Sequence, residues 1–239
     1  MSESQVKKAE TKKPGLSYWI LLILTYLLIP AILFLCAWDL RWWQGWVYTL
    51  LIFLAGVLGR SLAEKRHPGL MRERRNSESN EGVKPWDKVL APLMAFSIGF
   101  PLVIVVGLDH KNGWTAAFPT WLVLLGFVLI AGGYFFADWA LLENRNFSGT
   151  VRIQSDRGHQ VCDTGPYRFV RHPGYLGNLV PLAGIVLALG SLWTIIPAAF
   201  AAVVILVRTA LEDRTLRAEL PGYAEYAARV RWRLLPGLW

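Results

Sequence analysis

Long stretches without a single charged residue constrain this chain most. Five of them, Leu16 to Trp38, Trp42 to Gly59, Val89 to Leu108, Trp114 to Ala137 and Leu179 to Val207, are too long and too uniformly apolar to be the buried faces of soluble helices or strands. A helix needs about 20 apolar residues to cross a hydrocarbon core of roughly 30 Å, so each of the first four reads as one membrane span. With 54% of 239 residues apolar, the chain is not disordered. A net charge of +8 would suit nucleic acid, but the basic residues flank the apolar runs instead of striping a polar domain, so no nucleic-acid partner is expected and the bilayer is.

The last run, 179–207, is long for one span and short for two, and it carries Gly190-Ser191 near its middle with Pro197 beyond. Charge decides between a kinked helix and a hairpin. If the run folds back, the inner segments are the N-terminal tail, Arg60 to Lys88, Glu143 to His172 and everything from Arg208 onward, and they hold 23 of the 25 Lys and Arg residues. A single helix would send the C-terminal arginines across the membrane. The expected fold is therefore an all-α integral membrane protein of about six transmembrane helices, the last two a helical hairpin. Both termini and a small cap lie in the cytoplasm. Residues 1–15 form a cytoplasmic tail, 16–142 the first four spans with a polar loop at 60–88, and 143–239 the part that carries chemistry.

The first run exceeds the roughly 7–15 apolar residues of a signal-peptide core and lacks a small-residue cleavage site, so it reads as retained. Trp38, Trp42, Trp43 and Trp46, with Trp114 and Trp121, read as an aromatic belt at the outer interface. The mixed-charge stretch from Glu64 to Trp86 reads as a solvated linker without chemistry. Gly132-Gly133, inside an apolar run, reads as a helix-packing site. Cys36 and Cys162 make no redox or haem pattern and are taken as reduced. Four dispersed histidines without HExxH give no metal site, and no GxxxxGK[ST], GxSxG or strand-turn-helix GxGxxG occurs.

Chemistry concentrates in two places. Glu143 to His172 packs Asn144, Gln154, Asp156, His159, Asp163, Tyr167, Arg168, Arg171 and His172 between membrane segments, and His172-Pro173-Gly174-Tyr175 opens a helix with proline in its first turn. The amides and positive dipole of that turn favour a carboxylate or phosphate. Where the last apolar run ends, Arg208 and Glu212 stand four residues apart on one helical face, either as a juxtamembrane salt bridge or as part of a site. Hairpin topology brings His172 and Arg208 to the same membrane face. Asp138, near the inner end of the fourth span, is an intramembrane carboxylate and a further candidate.

His159-Gln-Val-Cys-Asp-Thr-Gly-Pro-Tyr167, then Arg171-His172-Pro173-Gly174-Tyr175-Leu176-Gly177, then Arg208-Thr-Ala-Leu-Glu212 and Tyr223-Ala-Glu-Tyr226 together resemble the isoprenylcysteine carboxyl methyltransferase family of membrane enzymes. The GPYxxxRHPxYxG core is shared with phospholipid N-methyltransferases. The likeness covers roughly residues 140–239. It implies S-adenosylmethionine bound at the cytoplasmic face without a Rossmann domain, surrounded by Gln154, His159, Gln160, Val161, Cys162, Tyr167, His172, Pro173, Gly174 and Tyr175. Arg208 and Glu212 would stand next to an amphiphilic or lipidated substrate at the reacting centre. Tyr167 and Tyr175 suit adenine or a sulfonium, His172 and its turn suit a carboxylate, Arg208 suits an anionic acceptor, and Glu212 suits a proton if the acceptor is an amine or thiol. O-methylation of an isoprenylcysteine-like carboxylate is the leading expectation, with phospholipid N-methylation and thiol S-methylation as alternatives. An NADPH-dependent membrane reductase is the rival enzyme class, because membrane sterol reductases carry a related Arg-His-x-x-Tyr-x-Gly pattern. A transporter or scaffold is the non-enzymatic rival, and the uniformly apolar spans speak against it.

Overall fold

A computed structural model describes residues 14–77 and 81–239, and the lysine-rich tail before Pro14 lies outside the described residues. Among the described residues all regular structure is helical: α1 (Leu16–Ala37), α2 (Trp43–Arg66), α3 (Leu70–Asn76), α4 (Asp87–Asn112), α5 (Thr120–Glu143), α6 (Pro173–Ala188), α7 (Ile195–Glu219) and α8 (Tyr223–Arg229). Of these, α1, α2, α4, α5 and α7 are long and apolar enough to cross a membrane. At about 1.5 Å per residue the 16 residues of α6 reach only about 24 Å.

The final apolar run is a hairpin. Gly190, at φ +67°, makes the left-handed turn that side chains resist, and Thr194 Oγ1 donates to Ser191 Oγ at 2.8 Å to close it. The first arm starts at Pro173, well before the apolar run, because Gly174 and Asn178 face protein rather than lipid: Asn178 Nδ2 donates to the Gly174 carbonyl at 2.7 Å. Helices α5 and α6 meet backbone to backbone. A β-carbon on Gly126 would lie 2.3 Å from the Ala188 nitrogen, and one on Gly133 would lie 2.5 Å from Pro181 Cδ. Gly133 thus does the packing expected of it, whereas Gly132 faces open space.

Two long helices are irregular. Helix α2 passes through a π-helical turn at Ala55–Gly59, and α4 breaks at Ile98–Gly99, where Gly99 leaves the helical region just before Pro101. Beyond the break, Phe100–Asn112 packs along α1, while Asp87–Ser97 leans on α7. Residues of α1 and of the first half of α4 accordingly line a cavity instead of packing on each other.

Two expectations fail for identifiable reasons. The stretch from Glu64 to Trp86 is not a plain solvated linker: Leu70 and Met71 are fully buried, and the buried Glu64 carboxylate accepts the Gly69 and Met71 amides at 2.8 and 2.9 Å. Its average polarity hides an apolar pair that seats α3 on the bundle. Trp38, Trp43, Trp46, Trp114 and Trp121 are exposed, as a belt requires, but Trp42 is buried and stacks on His110 with ring centroids 4.0 Å apart.

Candidate active site

The cap between α5 and α6 is built on Gln154. Its side chain is buried, with Nε2 donating to the Asn146 carbonyl at 2.7 Å and Oε1 accepting from Arg157 Nη1 at 3.0 Å. A short turn, Ser155–Arg157, closes on Gly158 at φ +60° and returns the chain so that the His159 amide donates to the Gln154 carbonyl. Burial, together with the nearby Arg152 and Arg157, pushes the His159 imidazole down to about 4. Burial raises the Cys162 thiol, so it stays protonated, and neither cysteine is in a disulfide.

The cap is fastened on two sides. Toward the 60–88 segment, Arg152, held within the cap by Asp156 at 2.8 Å, pairs with Glu73 at 2.7 Å, Thr150 Oγ1 donates to the Ser77 carbonyl at 2.8 Å, and the Val151 amide donates to Asp87 at 2.6 Å. Toward the C-terminus, the Arg171 and His172 amides donate to the carbonyls of Trp232 and Arg233, and Tyr226 Oη donates to the Tyr167 carbonyl at 2.7 Å. The segment around residue 160 and the C-terminal segment therefore lie on one face of the bundle.

Asp213, which the sequence reading left unassigned on α7, organises this junction. Its buried carboxylate accepts from Arg171 at 2.7 Å, from Arg233 and Tyr223 at 3.0 and 3.1 Å, and from Arg217 at 3.1 Å, and it lies 3.2 Å from His172 Nε2. The turn is less open than expected, because the Tyr175 and Leu176 amides both donate to the His172 carbonyl.

Gln154, His159, Gln160, Val161, Cys162, Tyr167, His172, Pro173, Gly174, Tyr175, Arg208 and Glu212 all line one cavity of about 190 Å³. Sequence distance between the cap and α7 is thus closed by the hairpin. Tyr175 is the link, since its hydroxyl donates to Glu212 while its ring lies 5.4 Å from the Arg208 guanidinium carbon. Arg208 does not pair with Glu212 directly. Its Nε and Nη2 bind the two oxygens of Asp87 at 2.7 and 2.9 Å, and Nη2 also donates to the Gly149 carbonyl at 2.8 Å. Most of its planar fork is therefore spent inside the protein, and both it and Asp87 are buried.

Sequence reasoning also missed Asn146. It lines the same cavity, is 5% exposed, and neither Nδ2 nor Oδ1 has a hydrogen-bond partner among the described residues; the same is true of Arg152 Nε. A buried amide with donor and acceptor both unmet costs stability unless something fills the cavity. The set of groups suits S-adenosylmethionine: an unmet amide for a base edge, tyrosine rings for a heterocycle or sulfonium, and cations for a carboxylate.

An all-helical membrane protein whose cap and last hairpin enclose a polar, aromatic cavity has the form of a membrane-embedded transferase. Residues 121–220 match the family model described as phospholipid methyltransferase, and the match takes in α5, the cap, α6 and α7, which form most of the cavity wall. That matched region, with the apolar helices around it, marks the protein as a membrane methyltransferase. No curated protein matches the chain.

Proposed function

We propose that the protein transfers a methyl group from S-adenosylmethionine to the polar head of a lipidic acceptor at the cytoplasmic face of the membrane. One observation carries this reading: the residues nominated from two distant parts of the sequence line a single cavity, inside the matched domain, that retains an unsatisfied buried amide. The cofactor supplies a methyl group already activated by its sulfonium. What remains for the chain is to bind, align and exclude water, holding donor and acceptor roughly 3–3.5 Å apart.

Asn146, His159, Tyr167 and the Asp213-held His172 are assigned to the cofactor, and Tyr175, Glu212 and Arg208 to the boundary with the acceptor. For a carboxylate acceptor no base is required, and O-methylation as in isoprenylcysteine substrates follows. For an amine acceptor a proton must leave, and Glu212, already a hydrogen-bond acceptor for Tyr175, is the group placed to take it. The matched phospholipid methyltransferase family supports this second, N-methylating reading, whereas the O-methylating one rests on the resemblance of the sequence motifs alone. The cytoplasmic orientation rests on the 23 of 25 cations that a six-span topology gathers on one side.

The test is incubation of membranes containing the protein with methyl-labelled S-adenosylmethionine, followed by lipid extraction and alkaline treatment. Label in a lipid fraction is expected; release by base marks an ester, and retention marks a methylated amine or thioether. Calorimetry showing binding of NADPH and none of S-adenosylmethionine would overturn the reading.

A further inference from the structure

A second cavity, of about 590 Å³, lies beside the first in the inner half of the bundle, where α4 leans away from α1. Its volume falls in the range of sites for drug-sized ligands, roughly 300–1,000 Å³. The two cavities share wall residues, among them Arg74, Met94, Phe147 and Asn178. Side chains of α1 and α4, such as Leu22, Ile29 and Ile98, line the far part, and Leu21 at its edge is exposed on the outer surface of α1. The cavity therefore joins a lipid-facing gap to the proposed methyl-transfer site.

Its charged lining consists of Arg60, Arg74, Arg75 and Asp138, an excess of cations in a low-dielectric setting. Asp138 answers Arg60: the carboxylate packs so closely on α2 that a β-carbon at Gly59 would overlap it, while Arg60 itself donates to Tyr26 Oη at 2.6 Å and to the Gly56 carbonyl. Arg75 reaches out to Ser17 on α1. Arg74 pairs with no carboxylate among the described residues. Its Nη1 donates to the Phe147 and Ser148 carbonyls at 3.4 and 3.1 Å, the guanidinium lies 5.1 Å from the Phe147 ring centre, and Nε and Nη2 make no hydrogen bond among the described residues. Burial and the like charges of Arg60 and Arg208 lower its affinity for its proton, to about 10. A partly buried cation at the junction of two cavities, with Nε and Nη2 both unspent among the described residues, has the chemistry to hold an anionic group.

We propose that this second cavity binds the methyl acceptor, and that the acceptor is an amphiphile whose anionic group, a carboxylate or a phosphate, is held by Arg74 while its apolar body lies between α1 and α4. This rests on the methyltransferase reading of the adjoining site and moves the anion-orienting role from Arg208, whose fork is occupied, to Arg74. A residue of the loop that looked devoid of chemistry thereby selects the substrate.

Purified protein in an uncharged detergent tests it by equilibrium binding of three probes: an N-acetylated prenylcysteine carboxylate, its methyl ester, and a phospholipid dispersed in the same detergent. Each is measured with and without S-adenosylmethionine, whose own binding is recorded separately. We expect the free carboxylate or the phospholipid to bind at least about tenfold more tightly than the neutral ester, about 1.4 kcal/mol; which of the two does so identifies the anion. Arg74→Gln should abolish that preference and Arg74→Lys restore much of it, and Ile98→Trp should weaken every amphiphile without affecting the cofactor. Equal binding of ester and anion, or a preference that survives Arg74→Gln, overturns the proposal. Anion-selective binding in a protein that fails to bind S-adenosylmethionine sinks the methyltransferase reading instead, so the two failures are distinguishable.

Discussion

Replacing Asp87 by asparagine isolates the interaction on which the geometry of Arg208 depends. The carboxylate accepts three hydrogen bonds, from Arg208 Nε at 2.7 Å, Arg208 Nη2 at 2.9 Å and the Val151 amide at 2.6 Å, and it is 0% exposed. Asparagine keeps the shape but removes the charge and turns one acceptor into a donor facing donors. Breaking a buried ion pair from one side costs about 3–5 kcal/mol, because the remaining charge stays buried without its counter-charge. At about 2–4 °C per kcal/mol for a chain of this size, the expected fall in apparent Tm is roughly 6–20 °C. The Arg208→Gln variant should fall comparably, whereas the double variant, with both charges gone, should recover a large part of the loss. Scanning fluorimetry in detergent at one fixed heating rate reads all four proteins. Coupling of about 2 kcal/mol is expected. Losses that simply add, or an Asp87→Asn protein melting within about 2 °C of the parent, would show that Arg208 is anchored by something other than Asp87.

Three further outcomes follow from the same geometry. Asn146→Leu should leave thermal stability unchanged or raised, since it removes an unsatisfied buried amide, yet weaken S-adenosylmethionine binding about tenfold, as titration calorimetry would read. Because His159 has its pKa held below the value of 6.5 found in an unfolded chain, the unfolded cap takes up a proton that the folded cap refuses. Stability of the cap should be full above about pH 6.5, decline as the pH falls toward 4 and level off below; hydrogen exchange of residues 144–172 should lose that slope in His159→Gln. Gly126→Val should prevent α5 and α6 from packing, because its β-carbon would lie 2.3 Å from the Ala188 nitrogen, and loss of the monodisperse folded protein on size exclusion is the expected readout.

Composition and charge order were enough to establish an all-helical membrane protein, and the hairpin at Gly190 was legible because a charge imbalance disfavours any other path for the C-terminal arginines. The cavity residues from Gln154 to Tyr175 and the Arg208/Glu212 pair were legible too, because local spacing and family resemblance are properties of short stretches. What local reading could not reach were partnerships made across the bundle. Asp87 and Arg208 are 121 positions apart, and nothing in either neighbourhood marks the other. Asp213 looks like one more polar residue at a helix end until Arg171, His172, Tyr223 and Arg233 converge on it. Arg74 sat in a segment whose averaged polarity resembles a solvated loop, while Leu70 and Met71 beside it decide that the segment is buried.

Which segments enter the lipid and which stretches hold polar chemistry could be read from linear order, since hydropathy and charge act residue by residue along the chain. Which charges neutralise one another and which are left over emerged with the folded arrangement of the helices. Electrostatic compensation in a low-dielectric interior depends on distances between residues far apart in the chain. That remainder, an amide at Asn146 and a cation at Arg74, is where the structure points to its ligands.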